Sequence, residues 1–158
     1  MDANSFIWGS RDPYPMPGAM VYWNWFEKMV KAGKVTSHKK VLKEVLQGEK
    51  KDKSEPIIAW MKSRQAILAD QEQDSKQCQE IVGQICSFSY EKFGSAKTIE
   101  FTRGADPWLI ARALLDAGAV VTQESDKKLV RIPTVCKKFD VPYKTLYEMN
   151  RELGLQLS

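Results

Sequence analysis

The stretch from Gly104 to Ser125 joins a helix start, an apolar helix, a helix stop and an apolar run in one continuous piece, and it fixes the first expectations. Trp108, Leu109, Ile110, Ala111, Ala113, Leu114, Leu115 and Ala117 leave little polar surface, which predicts a largely buried helix. Asp106 is placed to cap that helix, and Pro107 suits its first turn, where no N–H is needed. Arg112 and Asp116 lie four apart on its one wet stripe and can pair. Gly118 stands where a left-handed residue closes a helix. Ala119, Val120 and Val121 then form an apolar run without alternation, as in a strand covered on both faces. That run ends in Thr122, Gln123, Glu124 and Ser125. A buried helix feeding a two-sided strand predicts an α/β fold with a largely parallel sheet, whose sites form at the carboxyl ends of the strands.

The remaining pattern is mostly helical. After Asp2–Ile7, the run from Arg11 to Met20 carries Pro13, Pro15, Pro17 and Gly18 and predicts a rigid loop. Residues 20–32 predict a helix with Val21, Trp25 and Met29 inward, joined by Tyr22 and Phe26, and with Gly33 as its stop. Val35, Thr36 and Ser37 suit a minor strand. Ser37 can cap a helix over 38–47, with Val41, Leu42 and Val45 inward and Leu46 extending the stripe. Gly48 ends that helix before a charged loop. Pro56 opens a further helix in which Ile57, Trp60, Met61 and Arg64 recur at helical spacing. Residues 71–76 read as a polar link, 78–93 as a helix with Cys78, Ile81, Ile85 and Phe88 inward, and 94–103 as irregular. Val130, Arg131 and Ile132 suit a short strand, Pro133 a short helix with Val135, Cys136 and Phe139, and 144–153 a last helix.

Composition adds bounds. A chain of 158 residues with 43% hydrophobic and 28% charged positions reads as one domain, 1–158, with a core that needs no staples. The net charge of +4 permits a nucleic-acid partner without demanding one. Cys78, Cys86 and Cys136 show no close pair and no metal-type spacing, and no secretion signal precedes them; reduced thiols in a cytoplasmic protein are the expectation. No apolar run approaches spanning length, so no membrane partner is expected.

The acids that merit weighing are Asp2, Glu44, Asp106 and Glu124. Carboxylates around one cleft bind Mg²⁺ or Mn²⁺, which prefer oxygen ligands, and such ions activate water against a phosphodiester. Spacing alone leaves plainer roles open: Asp106 as a helix cap, Glu44 as a solvated helix residue flanking a buried stripe. Asn4 and Thr122 can orient an acid or a water by hydrogen bonding, or belong to a turn and a strand end. Chain order nonetheless places Asp106 and Glu124 at the same sheet edge, with Glu44 beside them and Asp2 at the floor. Carboxylates crowded in this way repel, and at least one is expected to hold its proton strongly. Lys39, Lys40 and Lys43, and separately Lys127, Lys128 and Arg131, can contact phosphates or simply form a solvated face. His38, the single histidine, is expected to be exposed in the first turn of its helix, which leaves little basis for histidine chemistry. The tryptophans fall on apolar stripes and read as core.

Four segments together resemble the PIN-domain nucleases: DANSFI at the start, KKVLKEVL with its inward acid, GADPWLIARAL with an Asp opening a small-residue helix, and VVTQES at a strand end. The aromatic helix after the proline loop and the closing RIPTVC segment with its short helix resemble one prokaryotic PIN-like group. The resemblance implies a three-layer α/β/α fold around a central, mostly parallel sheet. It also implies an acidic pocket holding Mg²⁺ or Mn²⁺ on Asp2, Glu44, Asp106 and Glu124, helped by Asn4 and Thr122, and metal-dependent cleavage of RNA. Many relatives are toxins of the VapC type, so an antitoxin protein and a homodimer are the implied partners, and Lys39, Lys40, Lys43, Lys127 and Lys128 the implied RNA contacts. The chain departs from that pattern at its start, where only Met1 precedes Asp2; the first strand is expected to be short or missing. A catalytically weak module that binds RNA or protein is the alternative, motivated by that start and by aromatics expected on the surface of the first thirty residues. A DNA flap nuclease is a third possibility.

Overall fold

The computed structural model describes residues 1–47, 56–69, 74–125 and 130–156. Asp2 begins the first helix, α1 (Ala3–Arg11): its backbone is extended and its carboxylate accepts the N–H of Ser5, 2.7 Å away. The proline-rich turn leads to α2 (Met20–Lys31), followed by α3 (Lys39–Gln47), α4 (Pro56–Lys62), α5 (Gln65–Leu68) and α6 (Lys76–Phe93). Next come α7 (Ser95–Arg103), α8 (Asp106–Leu115), β1 (Val120–Val121), α9 (Ile132–Lys138), β2 (Tyr143–Lys144) and α10 (Leu146–Glu152). A capping box of Thr145 and Glu148 opens α10.

The core is aromatic at the amino-terminal side. Tyr22, Trp23 and Phe26 of α2 are fully buried, whereas Val21 is 70% exposed, so the inward face of α2 is turned from the one its Val21–Trp25–Met29 spacing predicts. Phe6 packs edge-on to Phe26, Trp60 lies 5.2 Å from Trp23, and Tyr14 stacks on Tyr22. Two of the polar tips are satisfied, with Trp23 Nε1 donating to Tyr14 O at 2.9 Å and Asn150 Nδ2 to the Tyr14 hydroxyl at 3.0 Å, whereas the buried Trp60 Nε1 has no partner among the described residues. Phe6, Tyr14, Tyr22, Trp23 and Phe26 are therefore core, not the exposed aromatics expected of this region.

The expected three-layer α/β/α fold with a central sheet is not what the chain forms. Among the described residues ten helices carry nearly all the regular structure, and the sheet has two parallel strands of two residues each. Three local readings failed for physical reasons. Residues 95–103 are helical, not irregular, with Thr98 and Phe101 buried. Val130–Ile132 is no strand, because Pro133 suits a first helical turn and α9 starts at Ile132. Asp106 does not cap α8: it is the first helical residue, and the cap position is Ala105, whose own side chain cannot accept a capping bond. At the other end the left-handed residue is Ala117, at φ 49°, one place before Gly118.

Single backbone bonds nevertheless tie five short segments side by side. Ser37 bridges Ala69 in parallel, the Met1 amino group donates to Thr36 O at 3.1 Å, and Asp2 N–H donates to Val121 O at 3.0 Å. Val120 and Val121 pair with Tyr143 and Lys144. The row thus runs Ala69, Ser37, Met1–Asp2, Val121, Lys144, and the candidate site lies at one of its two ends. No helix among the described residues is long and apolar enough to cross a membrane.

Candidate active site

At one end of the row a pocket of about 240 Å³ is lined by Asp2, Glu44, Asp106 and Glu124, the four acids singled out in the sequence. Each arrives on a different element. Asp2 is the cap of α1, 3% exposed; Glu44 projects from α3; Asp106 begins α8; Glu124 follows β1. The local fold holds three of them through donors of its own. Asp2 accepts from Ser5 N on one oxygen and from Thr122 Oγ1 on the other, at 2.7 and 2.6 Å. Thr122 Oγ1 in turn accepts the N–H of Glu124 at 3.1 Å, so one buried hydroxyl links the floor of the pocket to its rim. Glu44 Oε1 accepts the N–H of Ala105 at 2.8 Å. Glu124 accepts from Arg131 Nη1 and from the N–H of Ile132, both at 3.1 Å.

Gly104 permits the Glu44 contact. A Cβ there would lie 3.3 Å from Glu44 Oε1 and 3.4 Å from the carbonyl of Glu100, so any larger residue crowds the carboxylate.

Electrostatics mark Asp106 as the group under most pressure. Burial, followed by the negative charges of Glu124, Asp2 and Glu44, pushes its pKa from 3.8 up to about 8, with Arg131 offsetting part of the rise. Glu44 is also pushed up, first by burial and then by Asp2, against the help of the Ala105 N–H. Beside the pocket, burial and the charge of Asp106 raise the Cys136 thiol to about 12, which leaves it an inert core residue.

The donor set is oxygen-only and acidic, and such a set suits Mg²⁺ or Mn²⁺ in kind. The side chains as they stand are not a closed coordination sphere: among the described residues no three acid, histidine or cysteine groups are gathered closely enough to hold an ion. The hydrogen bonds above explain this, because Glu44 is turned to the α8 cap and Glu124 to Arg131 and Ile132. Rotation of those two side chains toward Asp106 is what coordination requires.

Of the proposed helpers, Thr122 makes the contact expected of it, while Asn4 lines the pocket from an exposed position. Lys43 is exposed on α3 next to Glu44. Lys40 lies over the Trp108 ring, 5.2 Å from its centroid, and Lys39 pairs with Asp74. Lys127, Lys128 and Gly48 lie outside the described residues. His38 is 1% exposed rather than solvated; it sits 5.3 Å from the Trp108 ring, and burial lowers its pKa to about 4. Sequence reasoning missed Glu100, which enters the pocket only because residues 95–103 form a helix. It also missed the part of Arg131 as the partner of Glu124; the seven-residue separation of the two opposite charges was the available signal.

No curated protein and no solved structure matches the chain. A family model described as "Domain of unknown function (DUF4411)" matches residues 1–157, so the chain belongs to that family.

Proposed function

We propose that the chain is a metal-dependent endoribonuclease whose active site is the acidic pocket. The observation that carries this reading is the meeting of Asp2, Glu44, Asp106 and Glu124 in one cleft, where burial and then the three neighbouring carboxylates push the Asp106 pKa up to about 8. Mg²⁺ or Mn²⁺ held by these carboxylates supplies charge neutralisation at a phosphodiester and a readily ionised water. The chain's own residues do the positioning. Ser5 N–H and Thr122 Oγ1 fix both oxygens of Asp2, so its carboxylate enters the site in one orientation. Arg131 faces Glu124 and has guanidinium donors beyond that contact for a phosphate oxygen. RNA as substrate rests on the resemblance of the acid series to PIN-type nucleases. On the same ground we place the protein in the cytoplasm as a toxin-antitoxin or defence component, with an antitoxin partner and a homodimer as its assemblies.

The test is degradation of fluorescent single-stranded RNA in Mn²⁺, with and without chelator, beside single-stranded and flap DNA. Cleavage of RNA that the chelator abolishes supports the reading; equal loss in both, or none in either, overturns it. A second reading is a catalytically weak module that binds RNA or protein. It is favoured by the dispersed hydrogen bonding of Glu44 and Glu124, which leaves no closed set of ligands. Calorimetry with Mn²⁺ separates the two: binding that Asp106→Asn abolishes speaks against an inert module.

A further inference from the structure

Not every aromatic of the first thirty residues is sealed in the core. Trp8 of α1 is half-buried, and its ring meets that of Tyr147 of α10 edge-on, with centroids 5.5 Å apart. Tyr147 is 54% exposed. We infer that this pair is a stacking platform for a nucleobase of single-stranded RNA, set one helical turn from the acidic pocket. The inference rests on the cleavage reading for the course of the strand, and its test separates the two.

Position on α1 ties the pair to the pocket. Asp2, Ala3 and Asn4 line the pocket, Asn4 from an exposed position. Trp8 follows four residues later, so it shares a face of α1 with Asn4 and stands about 6 Å farther along the helix axis. Arg11, three residues beyond Trp8, continues the same stripe and is exposed. A strand whose phosphate sits among the acids passes Trp8 when it leaves along that face.

A close approach of two helices fixes the pair. A Cβ on Gly9 would lie 3.0 Å from Leu146 Cδ2, so the bare backbone of Gly9 lets α10 seat directly on α1. Trp8 and Tyr147 each adjoin one side of that contact in sequence. The seating holds both rings in place before any ligand arrives, which limits the ordering cost of binding. Phe6, Tyr22, Trp23 and Phe26 are fully buried and offer a base no surface, whereas more than half of Tyr147 stays open.

Charge around the pair suits a phosphate backbone. Arg11 lies in the last turn of α1, and Arg151 follows Tyr147 by four residues on α10; both are exposed. Glu148, the acid that follows Tyr147, is turned into its own helix start, where its carboxylate accepts from Thr145 N–H at 2.7 Å and from Thr145 Oγ1 at 2.9 Å. Aromatic faces flanked by guanidinium groups take single-stranded nucleic acid without regard to sequence, because every base has a π-face. A duplex keeps its bases stacked inside and gains nothing from the pair.

The experiment measures binding of fluorescent oligouridylate by anisotropy, in chelator to suspend cleavage, with a duplex RNA beside it. The proteins are the wild type, Trp8→Leu, Trp8→Phe and Tyr147→Leu, each checked for folding by urea denaturation. Trp8→Leu should weaken oligouridylate binding about five-fold or more. Trp8→Phe, which keeps a ring, should retain most of the affinity, and neither should alter duplex binding. Tyr147→Leu should also lose affinity; its side chain is largely exposed, so it carries the test if Trp8→Leu does not fold. Unchanged oligouridylate binding in the leucine variants, equal losses on oligouridylate and duplex, or no binding by the wild type overturns the inference and leaves the pair as packing or a contact for protein. Steady-state cleavage in Mn²⁺ keeps the two readings apart. Ring-dependent binding without any cleavage sinks the nuclease reading and keeps the platform, whereas chelator-sensitive cleavage with KM unchanged in both leucine variants sinks the platform alone.

Discussion

The two ends of the five-segment row share one backbone and differ in almost everything else. At the carboxyl ends of the segments four acids from four elements face one small pocket, and burial together with their mutual repulsion pushes the Asp106 pKa up to about 8. At the amino ends Arg112 pairs with Asp116 and Lys144 with Glu152, and the lining of a cavity of about 530 Å³ mixes apolar side chains such as Leu109 and Met149 with Ser37, His38 and the Met1 amino group. Parallel chain direction produces this asymmetry, because it gathers every segment exit on one side. The lesson is that a nearly vestigial sheet still sorts side chains: two paired residues and a few single bonds are enough to fix which end collects acids.

The sharpest way to break the comparison is to make the same substitution at each end. Asp106→Asn should lower Mn²⁺-dependent RNA cleavage by about a hundred-fold or more, since it removes a charge aimed at the reacting centre. Asp116→Asn, also an acid-to-amide change but at the other end, should leave cleavage unchanged. Initial rates on a fluorescent RNA measure both, and comparable losses would mean that the acidic end has no special part.

The next effect is on stability. Asp106 is pushed from 3.8 to about 8 in the folded protein, so the fold binds a proton that the unfolded chain releases above about pH 4. The contribution is fully present below the unfolded value and is lost as the pH rises to about 8, a fall on the order of a few kcal/mol. Glu44, also pushed up, adds in the same direction. Glu27 and Asp74, whose carboxyls are held down by lysine or arginine partners, act in the opposite sense and at lower pH. His38 and the Met1 amino group, whose pKa values burial lowers to about 4 and about 6, add stability with rising pH inside the same window, so comparison with Asp106→Asn isolates the Asp106 contribution. In urea denaturation in chelator from pH 5 to pH 8.5, the stability of Asp106→Asn relative to the wild type should grow with pH and level above 8. Parallel slopes for the two proteins would remove the crowding on which the pocket argument depends. Millimolar Mg²⁺ or Mn²⁺ should restore wild-type stability at the high end, by linkage to the state that binds it.

Thr122→Val sharpens the comparison at a single hydroxyl. The bonds from Thr122 Oγ1 to Asp2 Oδ2 and from Glu124 N–H to Thr122 Oγ1 are lost together, leaving one buried acceptor and one donor unmatched. The cost is about 1–3 kcal/mol by denaturation, with a cleavage loss of about ten-fold from a loosened Asp2. An unchanged rate in a destabilised protein would make Thr122 a structural residue only.

The lining of the pocket was more legible in the sequence than the fold. Local pattern marks Asp2, Glu44, Asp106 and Glu124 only as acids at element ends or beside a buried stripe, and the resemblance to PIN-type nucleases is what groups them. The sheet could not be sized, because Val35–Ser37 and Ala119–Val121 look like strands by composition, yet pairing depends on partners distant in sequence that local pattern does not count. The inward face of α2 was misplaced for a similar reason. Val21, Trp25 and Met29 satisfy helical spacing as well as Tyr22, Phe26 and Val30 do, and only the neighbours Phe6 and Trp60 decide between them. His38 was misjudged because a ring that stacks on Trp108 carries no mark of that in its own surroundings.

The smallest effect concerns which lysines of α3 belong to the acidic end. Lys39 is committed to Asp74, and Lys40 lies over Trp108, so neither is unoccupied in the free protein. Lys43 is exposed on α3, one residue along the chain from Glu44, which leaves its charge open to the backbone of an RNA that reaches the pocket. An exposed lysine that meets a phosphate releases about one counterion and contributes a slope of roughly 0.7 to the salt dependence on a single strand. Lys43→Ala should therefore weaken single-stranded RNA binding about two- to three-fold near 0.1 M salt and reduce the salt slope by about that amount, with the cleavage rate at saturation unchanged. Lys39→Ala should change both by less, because its ammonium must first leave Asp74. Fluorescence anisotropy across a salt series distinguishes them. Equal losses from the two variants would mean that RNA responds to the general positive field of α3 and not to a contact of Lys43.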